Sequence, residues 1–193
     1  MKIVLGSQSP RRRELLAGLD VDFRVVAIDA DEHYPEGLTG GDIPYYISRA
    51  KAEAYGESLA EDEVLLTADT IVWVPGEGEK EGVMLGKPRD EEEARAMLRL
   101  LSGRMHEVYT GVTLRTREGM QTIVDKTEVW FRVLAEEEID YYVEKYKPLD
   151  KAGAYGVQEW IGYVGVTKIV GSYFNVMGLP VDKVCQLLKE KFL

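Results

Sequence analysis

Cysteine and histidine are nearly missing from this chain, with one cysteine and two histidines among 193 residues. A single thiol, Cys185, cannot form a disulfide within the chain. A disulfide-stapled secreted scaffold is therefore excluded, and a reducing cytoplasm is the expected compartment. Cys185 lies in an apolar helical context with no activating neighbour in sequence, so it is expected to pack. His33 and His106 lack H-E-x-x-H spacing, and with one cysteine a structural zinc site is not supported. No window approaches the roughly 20 apolar residues of a membrane span. Met1–Leu5 is too short an apolar run for a secretory leader, and none is expected. No G-x-x-x-x-G-K-[ST] occurs, because Gly86-Lys87 runs into Pro88. No G-x-G-x-x-G follows a strand, which sets aside a dinucleotide cofactor. Ser7 and Ser9 lie outside any G-x-S-x-G elbow. Repeats, low-complexity tracts and linkers are absent too.

Net positive charge is also lacking: 34 acidic residues against 24 lysines and arginines leave −10. A field of that sign repels phosphate backbones, so no nucleic-acid polymer or acidic membrane is expected as a partner. It still permits a local basic pocket, which would select small anions. Hydrophobic residues make up 45% of the chain, enough for an ordinary globular core. The length favours one domain, taken as 1–193 with two lobes.

The pattern of elements is mixed α/β. A buried strand over Lys2–Leu5 runs into the turn Gly6–Pro10, then a helix with Ser9 as N-cap and Pro10 first. A strand is expected over Phe23–Ile28, and a helix capped by Asp42 runs to about Leu59. Val64–Val74 reads as a long apolar strand, and Pro75–Gly82 as a polar hairpin or insertion before Val83–Leu85. Asp90 with Glu93 opens a helix through Leu101 in the manner of a capping box. Two long strands, Met105–Thr116 and Met120–Leu134, precede a helix over Glu136–Tyr146. A β region within Gly162–Tyr173 and a final helix over Pro180–Phe192 complete the chain. The antiparallel pair in mid-chain argues against a simple Rossmann domain.

Against the acidic background, Arg11-Arg12-Arg13 open the first helix. Cations there oppose the partial positive charge of the free N–H groups, at a cost of roughly 0.3–1 kcal/mol each. An anion resting on the terminus reverses that sign, so the turn reads as a phosphate site. Asp69 interrupts an apolar strand that resumes at once with Ile71-Val72-Trp73-Val74. A buried carboxylate is costly unless a cation or metal answers it, so Asp69 is expected to bind a divalent ion, activate a water, or both. Asp31 and Glu32 read alone as a solvated turn, and with Asp69 as a hard-cation site. Lys51, beside Ile47, Ala50 and Ala54, and Lys87, held by Pro88, read equally as solvated lysines or phosphate contacts. In the Gly- and Ala-rich segment Asp150–Gln158, Tyr155 suits stacking and Gln158 suits the hydrogen-bonding edge of a base. The alternative there is a compact connection.

Together these segments resemble the Maf family of nucleoside triphosphate pyrophosphatases. The resemblance is carried by Ser7-Gln8-Ser9-Pro10-Arg11-Arg12, Asp29-Ala30-Asp31-Glu32, Arg49-Ala50-Lys51-Ala52, Ala68-Asp69-Thr70 and Gly86-Lys87-Pro88. It continues through Ser102-Gly103-Arg104, Val108-Tyr109-Thr110-Gly111, Asp150–Gln158 and Met177-Gly178-Leu179-Pro180. It implies an α/β fold related to the inosine triphosphate pyrophosphatases, with a mixed elongated sheet flanked by helices, a central cleft and a homodimer. It also implies hydrolysis of a nucleoside triphosphate to monophosphate and pyrophosphate with Mg²⁺ or Mn²⁺. By motif, Asp69 is the proton acceptor, Glu32 and Asp69 bind metal, and Ser7, Ser9, Arg11, Arg12, Lys51 and Lys87 hold phosphates. Arg11, Thr70 and Gln158 match positions associated with substrate choice. Lys151-Ala152-Gly153-Ala154-Tyr155-Gly156 resembles the branch acting on dTTP and UTP, whereas the 7-methyl-GTP branch carries a Ser-Phe version. Two features depart from the pattern: Glu159 stands where a glycine is common, and Pro75–Gly82 is longer. The competing readings are a pyrophosphatase of modified nucleotides and a nucleotide-sensing regulator of cell division.

Overall fold

The computed structural model describes residues 2–78 and 81–192. Its seven strands form one mixed sheet of order β2-β1-β3-β5-β6-β7, with β4 pairing β3. The strands are β1 (Lys2–Leu5), β2 (Phe23–Val25), β3 (Glu63–Val74), β4 (Val83–Leu85), β5 (Met105–Arg115), β6 (Met120–Phe131) and β7 (Val166–Val170). The helices are α1 (Pro10–Ala17), α2 (Asp42–Ala54), α3 (Glu91–Leu101), α4 (Glu136–Tyr146), α5 (Trp160–Gly165), α6 (Tyr173–Met177) and α7 (Val181–Phe192). The expected α/β class is the one found. The chain divides into two compact units. One comprises 1–70, 110–125 and 174–193, and the other 71–109 and 126–173. Among the described residues no helix is long and apolar enough to cross a membrane.

In the first unit β1 lies between β2 and β3, parallel to both, with Leu5 opposite Val25 and Leu66. Strand alternation sorts the side chains by face. Ile3, Leu5, Val64, Leu66, Val112 and Leu114 pack with Leu15 and Leu16 of α1 and Val184 and Leu188 of α7. Val4 and Leu65 point the other way, onto Ala52 of α2 and Tyr55 and Leu59 beyond it. The β1-to-β2 crossover therefore lies on one face and the β2-to-β3 crossover on the other. Open parallel sheets bind ligands at such a reversal, beside the carboxyl ends of the strands.

Gly111 of β5 lets α2 approach the sheet. A Cβ there would lie 2.2 Å from the Pro44 carbonyl oxygen and 2.8 Å from the Tyr45 nitrogen. Backbone cannot move aside as a side chain would. Gly111→Ala is expected to destabilise the protein by about 1–3 kcal/mol, and to reduce activity because α2 carries Lys51. Thermal melting and steady-state kinetics on the same preparation check both effects.

In the second unit α3 packs on α4, burying Ala94, Leu98 and Leu101 against Ile139, Tyr142 and Val143. Arg95 Nε donates to Asp140 Oδ1 at 2.8 Å across that pair. Asp90 caps α3 by accepting from the Glu93 N–H at 2.8 Å. The reciprocal half of the expected capping box is absent, because the Glu93 carboxylate accepts from Arg89 instead. The polar segment after β3 leads into β4 as an antiparallel hairpin, with Trp73 opposite Met84. Residues 79 and 80 of that segment lie outside the described residues.

Several element boundaries differ from expectation. β2 stops at Val25 instead of Ile28. α2 stops at Ala54 instead of Leu59, because Tyr55 turns extended and buries its ring. Gly41, not Asp42, precedes α2, and Asp42 serves as an acid in its first turn. β6 ends at Phe131, where the Arg132 N–H turns to the Gly165 carbonyl at 2.9 Å and the Leu134 N–H to Ser102 Oγ at 2.8 Å. The β region expected within Gly162–Tyr173 is β7, Val166–Val170, and the short helix α5 precedes it. The β-branched and aromatic residues of α5 suit a strand. Gly162, however, packs so closely on Val157 that a Cβ would lie 1.8 Å from the Val157 oxygen, and the backbone curls there into a helix.

Candidate active site

The turn after β1 is wired by its own hydroxyls. Ser9 caps α1, its Oγ accepting from the Arg12 N–H at 3.4 Å. Ser7 Oγ accepts from the Ser9 N–H at 3.3 Å and from Arg12 Nη1 at 3.4 Å. With both lone pairs engaged, the Ser7 hydroxyl hydrogen is the group left for a ligand. The Arg12 side chain folds inward across α1. Its Nε donates to the Gly178 carbonyl at 2.8 Å and its Nη2 to Thr70 Oγ1 at 2.9 Å. Three of the five guanidinium N–H groups are thus committed to neutral protein oxygens, which leaves two for an anion. Burial lowers the Arg12 pKa, and the nearby Asp69 carboxylate acts against that lowering.

Asp69 and Thr70 are neighbours in β3 and face opposite sides of the sheet. Leu65, Thr67 and Asp69 point toward α2, where Thr67 Oγ1 donates to the Ser48 carbonyl at 2.7 Å. Lys51, one turn further along α2, places its Nζ 2.8 Å from Asp69 Oδ1 and 2.8 Å from Glu32 Oε1. Leu66, Ala68 and Thr70 point toward α1, where Thr70 meets Arg12 and lies 2.9 Å from Thr110 Oγ1. The carboxylate expected to face a metal or water therefore faces an internal cation, with both side chains only 14% exposed.

This first unit brings together Ser7, Ser9, Arg12, Glu32, Lys51, Asp69 and Thr70. Arg11 is half-buried in the first turn of α1. Lys87 and Gln158 belong to the second unit. Lys87 is exposed, whereas the Gln158 amide oxygen is buried with no hydrogen-bond partner among the described residues. Tyr155 is not available for stacking on a ligand. Its ring is buried edge-on to His106 and Phe131, and its hydroxyl lies 2.7 Å from His106 Nε2. Burial pushes the His106 pKa down to about 3, so the imidazole in that pair is neutral.

Among the described residues no three histidine, cysteine or acidic side chains gather to hold a metal. Glu32 and Asp69 nevertheless converge on one cation, the Lys51 ammonium. Two carboxylates are a hard-oxygen set suited to Mg²⁺ or Mn²⁺ when phosphates and water supply the other ligands. Two contributors escaped the sequence reading: the Gly178 carbonyl, which orients Arg12, and Thr110, which braces Thr70. Their only signal was the paired motifs Val108–Gly111 and Met177–Pro180, which composition and periodicity do not connect.

A family model described as Maf-like protein matches residues 2–191. The chain belongs to the Maf family. Among Maf-family relatives, a dTTP/UTP pyrophosphatase from Parabacteroides distasonis is 56% identical over 190 residues, covering 98% of this chain and 95% of the relative. One of the same name from Bacteroides thetaiotaomicron is 54% identical with the same coverage. The solved Staphylococcus aureus Ham1 protein has the same fold, with a TM-score of 0.52 at 16% identity, over 99% of this chain and all of that one.

Proposed function

We propose that this Maf-family chain hydrolyses dTTP and UTP between the α and β phosphates, giving the monophosphate and pyrophosphate. The observation that carries the reading is Asp69, a half-buried carboxylate in an apolar strand, held at the sheet's reversal point beside a hydroxyl- and arginine-lined turn. Full-length similarity to proteins named for this activity supports the substrate class. In this reading the spare Arg12 N–H groups, the Ser7 and Ser9 hydroxyls, Arg11, Lys51 and Lys87 bind and neutralise the phosphates. Asp69 takes a proton from water as its oxygen attacks the α-phosphorus. The bond to the bridging oxygen breaks, and pyrophosphate leaves with that electron pair. Glu32 and Asp69 would hold a divalent cation, which when bound supplies positive charge for the developing phosphate charge. Lys51, 2.8 Å from both carboxylates, would be the cation nearest the phosphates on that side of the sheet. Arg11, Thr70 and Gln158 select the substrate, and the buried Gln158 oxygen suits the N3–H donor of uracil or thymine. The protein acts as one domain in the cytoplasm, in keeping with its single cysteine, and the homodimer is carried over from the family resemblance.

A nucleotide panel with Mg²⁺, scored separately for pyrophosphate and orthophosphate, tests this. UTP and dTTP are expected to be turned over best, with pyrophosphate as the primary product. Primary release of orthophosphate, or a strong preference for 7-methyl-GTP, would sink the reading.

A further inference from the structure

The segment after α4 carries a set of linked polar contacts around buried Lys151 and Tyr142 that the proposed reaction does not use. Lys151 is 8% exposed, and its Nζ lies 2.8 Å from Asp150 Oδ1 and 3.0 Å from Glu159 Oε1. The other Glu159 oxygen accepts a short hydrogen bond from the Tyr142 hydroxyl. That same hydroxyl accepts from the Gly156 N–H at 3.0 Å. Tyr142 is fully buried in α4, and burial together with Glu159 keeps its hydroxyl protonated. The pair closes over Gly156 itself, where a Cβ would lie 2.9 Å from Glu159 Cδ and 3.0 Å from Lys151 Cε. Tyr155 is fastened separately to His106, and the Val157 oxygen rests on Gly162. The backbone is therefore fixed on both sides of Gln158, whose buried amide oxygen has no partner among the described residues.

We propose that Glu159, acting through Tyr142 and Lys151, is a positioning residue for base selection, holding the backbone that carries Gln158. The inference rests on the pyrimidine reading above. Uracil and thymine present an N3–H donor beside the O4 acceptor, and cytosine presents the reverse. An amide carried on a backbone free to shift can bring either its oxygen or its NH₂ to the base, so selectivity depends on where that backbone is held. A site built to satisfy one pattern of donors rejects its inverse, because buried polar groups are then left unpaired.

The test uses Tyr142→Phe and Glu159→Gln, both of nearly unchanged volume, in the full chain. Steady-state kinetics with UTP and CTP are measured beside amide hydrogen exchange of the free protein. Both variants are expected to lower the UTP-over-CTP ratio of kcat/KM by about tenfold, the loss appearing in the KM for UTP while kcat stays within about twofold. Exchange at Gly156 and Gln158 should quicken in both variants. A merely structural role predicts equal losses with both nucleotides, and an unchanged ratio in both variants would overturn the inference alone. A wild-type protein showing no preference for UTP over CTP would overturn the functional reading and this inference with it.

Discussion

Asp69→Asn is expected to lower UTP turnover by about 10²–10⁴, the usual contribution of a positioned general base. The protein should stay folded. Asparagine has the same shape, and β3 buries no larger or smaller group in consequence. Lys51 loses one of its two carboxylates but keeps Glu32, so its ammonium is not stranded. Nucleotide binding by calorimetry should persist, because Ser7, Arg11 and Arg12, the proposed phosphate contacts, are untouched. A folded variant with near-normal turnover would remove Asp69 from the mechanism. A variant that failed to fold would assign it the structural task of neutralising Lys51.

Arg12→Ala should be the second most damaging substitution, and it should act on two quantities at once. The guanidinium joins the turn after β1, the middle of β3 and the segment before α7, through Ser7, Thr70 and Gly178. Charge-assisted hydrogen bonds are worth about 1.5–3 kcal/mol each, so kcat/KM for UTP should fall about 10²-fold and the melting temperature should drop. Arg12→Lys separates the two roles. Lysine restores the charge but not the planar fork that reaches three acceptors in fixed directions. It should recover little activity. A fully active Arg12→Lys protein would show that charge alone matters and that the bracing geometry does not.

How much of this was legible beforehand depended on whether the cause was local. Ser9 as a cap followed by Pro10 at the first helical position is a local device, and α1 begins at Pro10. Asp69 is conspicuous because strand alternation makes a carboxylate amid apolar residues costly, and the structure places its counter-ion 18 residues away in sequence, on α2. The identity of that counter-ion was not legible, because nothing in the spacing of Lys51 and Asp69 says that α2 crosses the sheet on that face. The same holds for Arg12, whose acceptor at Gly178 lies 166 residues away. For Tyr155 the structure takes the second of the two expectations, a compact connection, for a related reason. Between small residues it looks free to stack, and only the distant partners His106 and Phe131 make it core. Family motifs supplied such long-range pairings as a set, without the reason for any one of them. α5 has no comparable local signal, since Trp160–Gly165 is rich in the aromatic, β-branched and glycine residues that helices disfavour.

The opposed directions of Asp69 and Thr70 make activity a check on assembly. A slip of one residue in the pairing of β3 would turn every side chain to the other face. In one direction Thr70 would meet Lys51 and Ile71 would face Arg12, and in the other Ala68 would meet Lys51 and Asp69 would take the place of the hydroxyl that braces Arg12. Neither half of the site would survive, so a misregistered molecule is silent instead of slow. In the proposed reaction, the specific activity of a refolded sample is then expected to follow the fraction of molecules whose β3 is correctly paired.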